Sequence, residues 1–203
     1  MTVRVAEVEL PRAAAVLGDA FHDDPLLVHT LPDAAERARL AAAHFLPIAR
    51  LAFQTGEVWR SDDFGAVACW VPPGRHDATA EEWAASGMDR MPEILGDDAC
   101  ARIDAVFAHL TARRAALGVP GHWYLSLLGV ARAAQGRGLG GAVVAPRLRA
   151  CDDAGEWCFL ETLGPRNVPF YERHGFAVVE ADTAPGSGLP YWLFLRPPGG
   201  RQA

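Results

Sequence analysis

The chain has 203 residues, half of them apolar and 22% charged, which is enough for one domain with a buried core. Its formal charge of -6 argues against nucleic acid as the main partner, because binding phosphates calls for a basic surface. All 19 basic residues are Arg, so no Lys is available as a Schiff-base amine or P-loop clamp.

In chain order, Val3 and Val5 alternate with polar neighbours as in a short first strand. Residues 11 to 21 place Ala14, Val16, Leu17 and Ala20 at helical spacing behind Pro11, and His22-Asp23-Asp24-Pro25 breaks that pattern. Asp33 is suited to cap a second, long helix that runs to about Gln54 and carries Pro47 as a candidate kink. Residues 57 to 60 and 65 to 71 read as a hairpin around Asp62-Asp63, ended by Pro72-Pro73-Gly74. Residues 79 to 118 read as two helices separated by Gly96-Asp97-Asp98, and Gly118-Val119-Pro120-Gly121 closes that stretch. Then come a strand from His122 to Val130, a helix from Gly138 to about Ala154 with Pro146 inside, and a strand from Trp157 to Thr162. A short helix from Val168 to His174 and strands at 176–181 and 191–195 follow. Strands interleaved with helices around one core imply an α/β fold with a mixed sheet.

The N-terminus MTVRVAEVEL lacks the apolar stretch of a signal peptide, and no run approaches the length of a membrane span. The protein is therefore expected in the cytoplasm, with no membrane partner. Of Cys69, Cys100, Cys151 and Cys158, no two have C-x-x-C spacing, so small buried thiols are expected rather than a metal site or disulfides.

A strand that leads into Gly136-Arg137-Gly138-Leu139-Gly140-Gly141 and then a helix suits an anion. Glycines let backbone approach a phosphate, and the first helical turn offers free N–H groups and the positive end of the dipole. The same run spells G-x-G-x-x-G, with Glu161 ending the next strand, which is also the fingerprint of a dinucleotide-binding loop. Two features oppose that reading. Ala131 to Gln135 separate the strand from the first glycine, and the sixty-odd residues after Gly141 end in two consecutive strands.

The run Gln135-x-x-Gly138-x-Gly140 after a strand ending Gly129-Val130, with FLETLGPRNVPFYERHGF from Phe159 to Phe176, resembles the GCN5-related N-acetyltransferases (GNAT). Within them it is most similar to the actinobacterial puromycin N-acetyltransferase-like group, closely over about residues 122 to 180 and in layout before that. The resemblance implies the GNAT acyl-CoA N-acyltransferase fold over residues 1–203. That fold is a central, mostly antiparallel mixed sheet flanked by helices, here with a helical insertion at about 75–118. It implies acetyl-CoA as cosubstrate, no metal, and transfer to a primary amine of a small molecule, an antibiotic among the candidates. The enzyme would be a monomer or homodimer.

By the same resemblance, the backbone of Leu128, Gly129 and Val130 would hold the pantetheine arm where their strand splays from the next. Gln135, Gly136, Arg137, Gly138, Leu139, Gly140 and Gly141 would hold the pyrophosphate. Asn167, which its position also suits to be a helix N-cap, would contact the thioester end. Tyr171, about one helical turn on, would give its proton to the departing thiolate. Glu161 is the candidate base, with Tyr124 and His174 as further candidates. Acceptor selectivity is expected from residues 21–31, 75–95 and 182–191. Asp23, Asp24, Glu81 and Glu82 are candidates to attract a cation, and Trp83, Trp123 and Trp192 to wall a pocket. Two rival classes remain: an NAD-dependent oxidoreductase and a catalytically silent acyl-CoA-binding module.

Overall fold

The computed structural model describes residues 1–119 and 121–200; Pro120, inside the expected Gly118–Gly121 break, and the tail residues 201–203 lie outside it. Seven strands form one sheet in the order β1-β2-β3-β4-β5-β7-β6. They are β1 (Thr2–Arg4), β2 (Glu57–Ser61), β3 (Ala66–Val71), β4 (His122–Val130), β5 (Trp157–Thr162), β6 (Ala177–Ala184) and β7 (Leu189–Arg196). Every neighbouring pair is antiparallel except β4 and β5, which run parallel. The mixed, mostly antiparallel sheet expected from the sequence is therefore present.

Helices cover both faces because alternate strand residues point to opposite sides. On one face α1 (Leu10–Ala20) and α3 (Ala34–Thr55) bury Ala13, Ala14, Leu17 and Ala49 with Val58, Val67 and Cys69. On the other face α7 (Leu139–Ala154) buries Val143, Val144 and Leu148 with Ala68, Trp70 and Leu160. Beside α1 and α3, α6 (Asp97–Ala116) packs Val106 and Leu110 on Phe159, Tyr191 and Leu193. Phe159 and Phe194 are fully buried, a contribution of roughly 1.5–3 kcal/mol each.

The capping signals behave as their chemistry dictates. Asp33 accepts from the Glu36 N–H at 2.7 Å, and α3 continues through Pro47 to Thr55. Two helices escape the sequence reading. Asp24-Pro25 breaks one helix but also starts another, α2 (Pro25–Thr30), with Asp24 accepting from the Leu26 N–H at 3.0 Å. The stretch before β4 holds three helices rather than two, α4 (Ala80–Ser86), α5 (Met91–Leu95) and α6. Thr79 and Pro92 each supply a start there, and Asp97-Asp98, expected as part of the break, form the first turn of α6. The C-terminal strands are also longer than expected, since β6 reaches Ala184 and β7 starts at Leu189. All four cysteines are free, with Cys69, Cys151 and Cys158 buried and Cys100 partly so. Among the described residues, no helix is long and apolar enough to cross a membrane.

Candidate active site

Strands β4 and β5 pair over only three positions, His122 with Trp157, Trp123 with Cys158 and Tyr124 with Phe159. Beyond them the strands part. From Leu125 to Val130, β4 keeps only β3 as a partner, while Leu160, Glu161 and Thr162 of β5 keep only β7. A bulge at Ser126 accompanies the parting: Cys69 pairs with Leu127 and Trp70 with Leu125, which leaves Ser126 as an extra residue. Such a bulge bends and over-twists the strand that carries it, turning β4 away from β5. The two edges facing the gap hold backbone groups free to bind an extended chain. The gap opens at the carboxyl ends of the parallel pair, so the loop after β4 and the loop after β5 both flank it.

The loop after β4 is pinned at both sides. Arg132 donates its backbone N–H and its Nε to the Asp19 carboxylate of α1 at 2.7 and 2.9 Å. Gln135 reaches back to donate its amide to the Val130 carbonyl at 3.2 Å. That bond engages one of the backbone groups expected to face pantetheine.

The glycines then divide into two jobs. Gly136 and Gly138 adopt φ of 76° and 75°, where an L side chain is strained, and a Cβ at either would meet nothing within 4 Å. Gly140 and Gly141 instead let α7 approach α8 (Val168–Arg173). A Cβ on Gly140 would lie 3.4 Å from the Phe170 ring, and one on Gly141 only 2.7 Å from His174 Nε2. Gly138 caps α7 without any side chain, so the first N–H groups of a 16-residue helix remain open beside the exposed loop. Arg137, at 3.5 Å from Asp63, is largely exposed on the same loop. This cradle suits a pyrophosphate, and together with the free strand edges it could hold coenzyme A.

On the α7 face, Tyr171 is buried among Phe170, Phe176 and Phe194, with ring centroids 5.2, 6.0 and 5.5 Å away. Its hydroxyl makes no hydrogen bond to another described residue. Burial, reinforced by the charges of Asp24 and Glu161, drives its pKa upward, so it stays protonated at neutral pH. Glu161 lies on the opposite face of the sheet, where it accepts a hydrogen bond from the Tyr124 hydroxyl. Burial raises its pKa against the pull of Tyr124 and Arg114. A carboxylate shifted upward is a stronger base near neutral pH.

A profile of the acetyltransferase (GNAT) family matches residues 75–176, half of the sequence. The chain belongs to this family. It is an acetyl-CoA-dependent N-acetyltransferase. An uncharacterized N-acetyltransferase of Schizosaccharomyces pombe is 28% identical over 206 aligned residues, covering 96% of this chain and 82% of the relative. Among solved structures, one described as histone acetyltransferase HPA2 and related acetyltransferase of Corynebacterium glutamicum superposes with a TM-score of 0.69 at 21% identity. It covers 100% of this chain and 98% of its own. Arylalkylamine N-acetyltransferase 2 of Aedes aegypti gives 0.65 at 13% identity, covering 97% and 98%.

Several expected roles in the acetyltransferase are redistributed by the structure. Asn167 does not cap α8 with its side chain; it donates to Thr162 Oγ at 3.0 Å and so ties the loop after β5 to the strand end. His174 is a packing residue between helices, with Nδ1 2.8 Å from the Phe170 carbonyl and its ring 4.4 Å from that of Phe170. Tyr124 holds its proton against Glu161 because burial and that carboxylate raise its pKa, which unsuits it as a base. Glu82 closes a capping box with Thr79 and pairs with Arg75, so it serves α4 rather than a substrate. Trp83 is 43% exposed on α4, whereas Trp123 and Trp192 pack on the α7 side, so the three form no common wall. Asp24 is a helix cap whose burial raises its pKa, while Asp23 stays exposed. Near the site, His76 falls within the stretch 75–95 expected to bear on acceptor selectivity, whereas Arg114 lies outside every such stretch, because nothing in its spacing links it to β5.

Proposed function

We propose that this acetyltransferase passes the acetyl group of acetyl-CoA to the primary amine of a small molecule by direct attack within a ternary complex. The observation that carries the reading is the parting of β4 from β5, with an open, uncapped helix N-terminus at one side; buried Tyr171 and Glu161 on opposite faces of the sheet support it. Acetyl-CoA supplies an activated thioester. In this reading the strand edge at Leu128, Gly129 and Val130 aligns the pantetheine arm. The N–H groups from Gly136 to Gly141, with Gln135 shaping the loop and Arg137 adding charge, hold the pyrophosphate. Asn167 fixes the loop beside the thioester.

The incoming amine forms the new C–N bond as the C–S bond breaks. Glu161 takes the proton that the amine nitrogen loses, directly or through one water. Tyr171 gives its proton to the departing thiolate. Two groups on opposite faces of the sheet are then used, one to accept a proton and one to donate it, without a covalent enzyme intermediate. The whole chain acts as one catalytic domain, with the helices between β3 and β4 as its insertion. Likeness of the Phe159–Phe176 stretch to the puromycin N-acetyltransferase-like group supports small amines, amino-bearing antibiotics included, as acceptors.

The test is release of CoA thiol from acetyl-CoA across a panel of primary amines, beside thermal unfolding with acetyl-CoA or NAD. Amine-dependent thiol release and stabilisation by acetyl-CoA alone are expected. Stabilisation by NAD alone would return the oxidoreductase reading, and acetyl-CoA binding without release would leave a silent binding module.

A further inference from the structure

Beside Glu161, between α6 and the sheet, lies a cavity of about 160 Å³. Phe107 and Leu110 of α6 form its apolar wall, and five polar residues line it: His76, Thr111, Arg114, Tyr124 and Glu161. Its size is well below the roughly 300 Å³ at which sites for drug-sized ligands begin. The occupant is therefore small.

The charges in this cavity are unusual for a site that takes an amine. Arg113 points the other way and forms a two-pronged pair with Glu180 at 2.9 and 2.8 Å. Arg114 forms no ion pair among the described residues. Its guanidinium lies 5.0 Å over the Tyr124 ring and 5.8 Å from that of Phe159, which fixes the plane of the fork at the cavity wall. Glu161, in the same lining, already accepts a hydrogen bond from the Tyr124 hydroxyl. His76 lies with its ring 4.5 Å from that of His122 and donates from Nε2 to the His122 carbonyl, 3.1 Å away. Burial and the nearby Arg114 lower its pKa, so it adds no second positive charge at neutral pH. The cavity thus presents one carboxylate and one planar cation.

A dicationic amine would set its second charge against Arg114 in a half-buried space. An amine that also carries a carboxylate would place its nitrogen by Glu161 and its carboxylate on the Arg114 fork, the geometry guanidinium binds best. From this arrangement we propose that the acceptor is a small amino-acid-like zwitterion, its carboxylate held by Arg114. The proposal rests on the acetyltransferase reading of Glu161. The overall step stays balanced: one N–H and one thioester become one amide and one free thiol.

Matched pairs test it: phenylalanine with 2-phenylethylamine, leucine with 3-methylbutylamine, and the dications agmatine and putrescine. Thiol release gives kcat/KM, and calorimetry in the presence of CoA gives acceptor affinity separately. The acid of each pair should be favoured at least about tenfold, the worth of a charge-assisted hydrogen bond. R114Q should bring the ratio within about threefold, and R114K, which keeps charge without the fork, should fall between. Preference for the plain amine or a dication would overturn the assignment. So would a parallel loss for both members of a pair in R114Q, which would make Arg114 a packing residue on Tyr124, or failure of both acids to bind. Binding of the acids with no thiol released would instead overturn the transferase reading and leave the cavity assignment standing.

Discussion

Tyr171 and Glu161 are both titratable and buried, and both have raised pKa values, yet the same shift suits them to opposite tasks. A phenol whose pKa rises holds its proton until a thiolate develops beside it; a carboxyl whose pKa rises becomes a better acceptor near neutrality. Y171F should therefore lower kcat by about 10²–10⁴-fold, the usual contribution of a positioned acid. Acetyl-CoA affinity, measured by calorimetry, should stay within about threefold, because the ring packing survives. Equal losses in affinity and turnover would make Tyr171 a binding residue only. For Glu161, the acid limb of kcat/KM should lie above the ordinary carboxyl value of 4.5. Activity should fall as pH drops through that raised pKa, since the protonated carboxyl accepts nothing. E161Q should remove the limb and lower kcat/KM at neutral pH by about 10²-fold or more; an unmoved limb assigns it to another group. At this scale the motif residues were legible from spacing and resemblance. Arg114 was not, because a helix residue 47 positions upstream of Glu161 meets it only through the packing of α6 on β5.

At the scale of elements, the glycine run shows how one motif serves two needs. Gly136 and Gly138 leave open space for a ligand, whereas Gly140 and Gly141 set how closely α7 lies on α8. G141A should cost about 1–3 kcal/mol in urea unfolding, the usual range for forcing a methyl into a packed contact. H174A should recover part of that loss in the double variant, because the 2.7 Å contact is with its ring. Additive effects would show that the two residues do not meet. Helix boundaries divided along similar lines. Asp33 and Pro11 gave true starts because capping is local chemistry, while α2 was hidden by reading Asp24-Pro25 only as a break. The Ser126 bulge was equally hidden, since the extra residue is defined only by its partner strand β3.

For the molecule as a whole, His44 of α3 is a built-in acid liability. It is buried in the apolar layer beside Phe45, its Nδ1 makes no hydrogen bond, and burial lowers its pKa to about 4. A folded-state pKa below the unfolded 6.5 means that the unfolded chain binds the extra proton between those values. The associated stability is complete above pH 6.5 and is lost as pH falls toward 4. The expected loss between pH 6.5 and 5 is about 2 kcal/mol. Glu161 and Asp24, whose folded pKa values are raised, shift stability in the opposite direction as pH falls toward their ordinary carboxyl values. The comparison with H44L therefore isolates the histidine: unfolding midpoints should fall more steeply with acid in the wild type. Parallel pH curves would show that His44 does not titrate on unfolding.

The sequence alone determined what local chemistry and period can determine. It settled the alternation of strands and helices, the cap at Asp33, and the phosphate-friendly run from Gly136 to Gly141. It also carried the family, through motifs in order along one stretch. Only the tertiary structure decided where β4 leaves β5, which glycines face open space and which face α8, and that Asn167 ties a loop rather than caps a helix. It alone brought Arg114 and Glu161 to one cavity across 47 residues of chain. The physical reason is the same in each case: a cap or a helical stripe depends on neighbours a few residues away, whereas a gap, a clash or a pair of opposed charges depends on which distant backbones pack together.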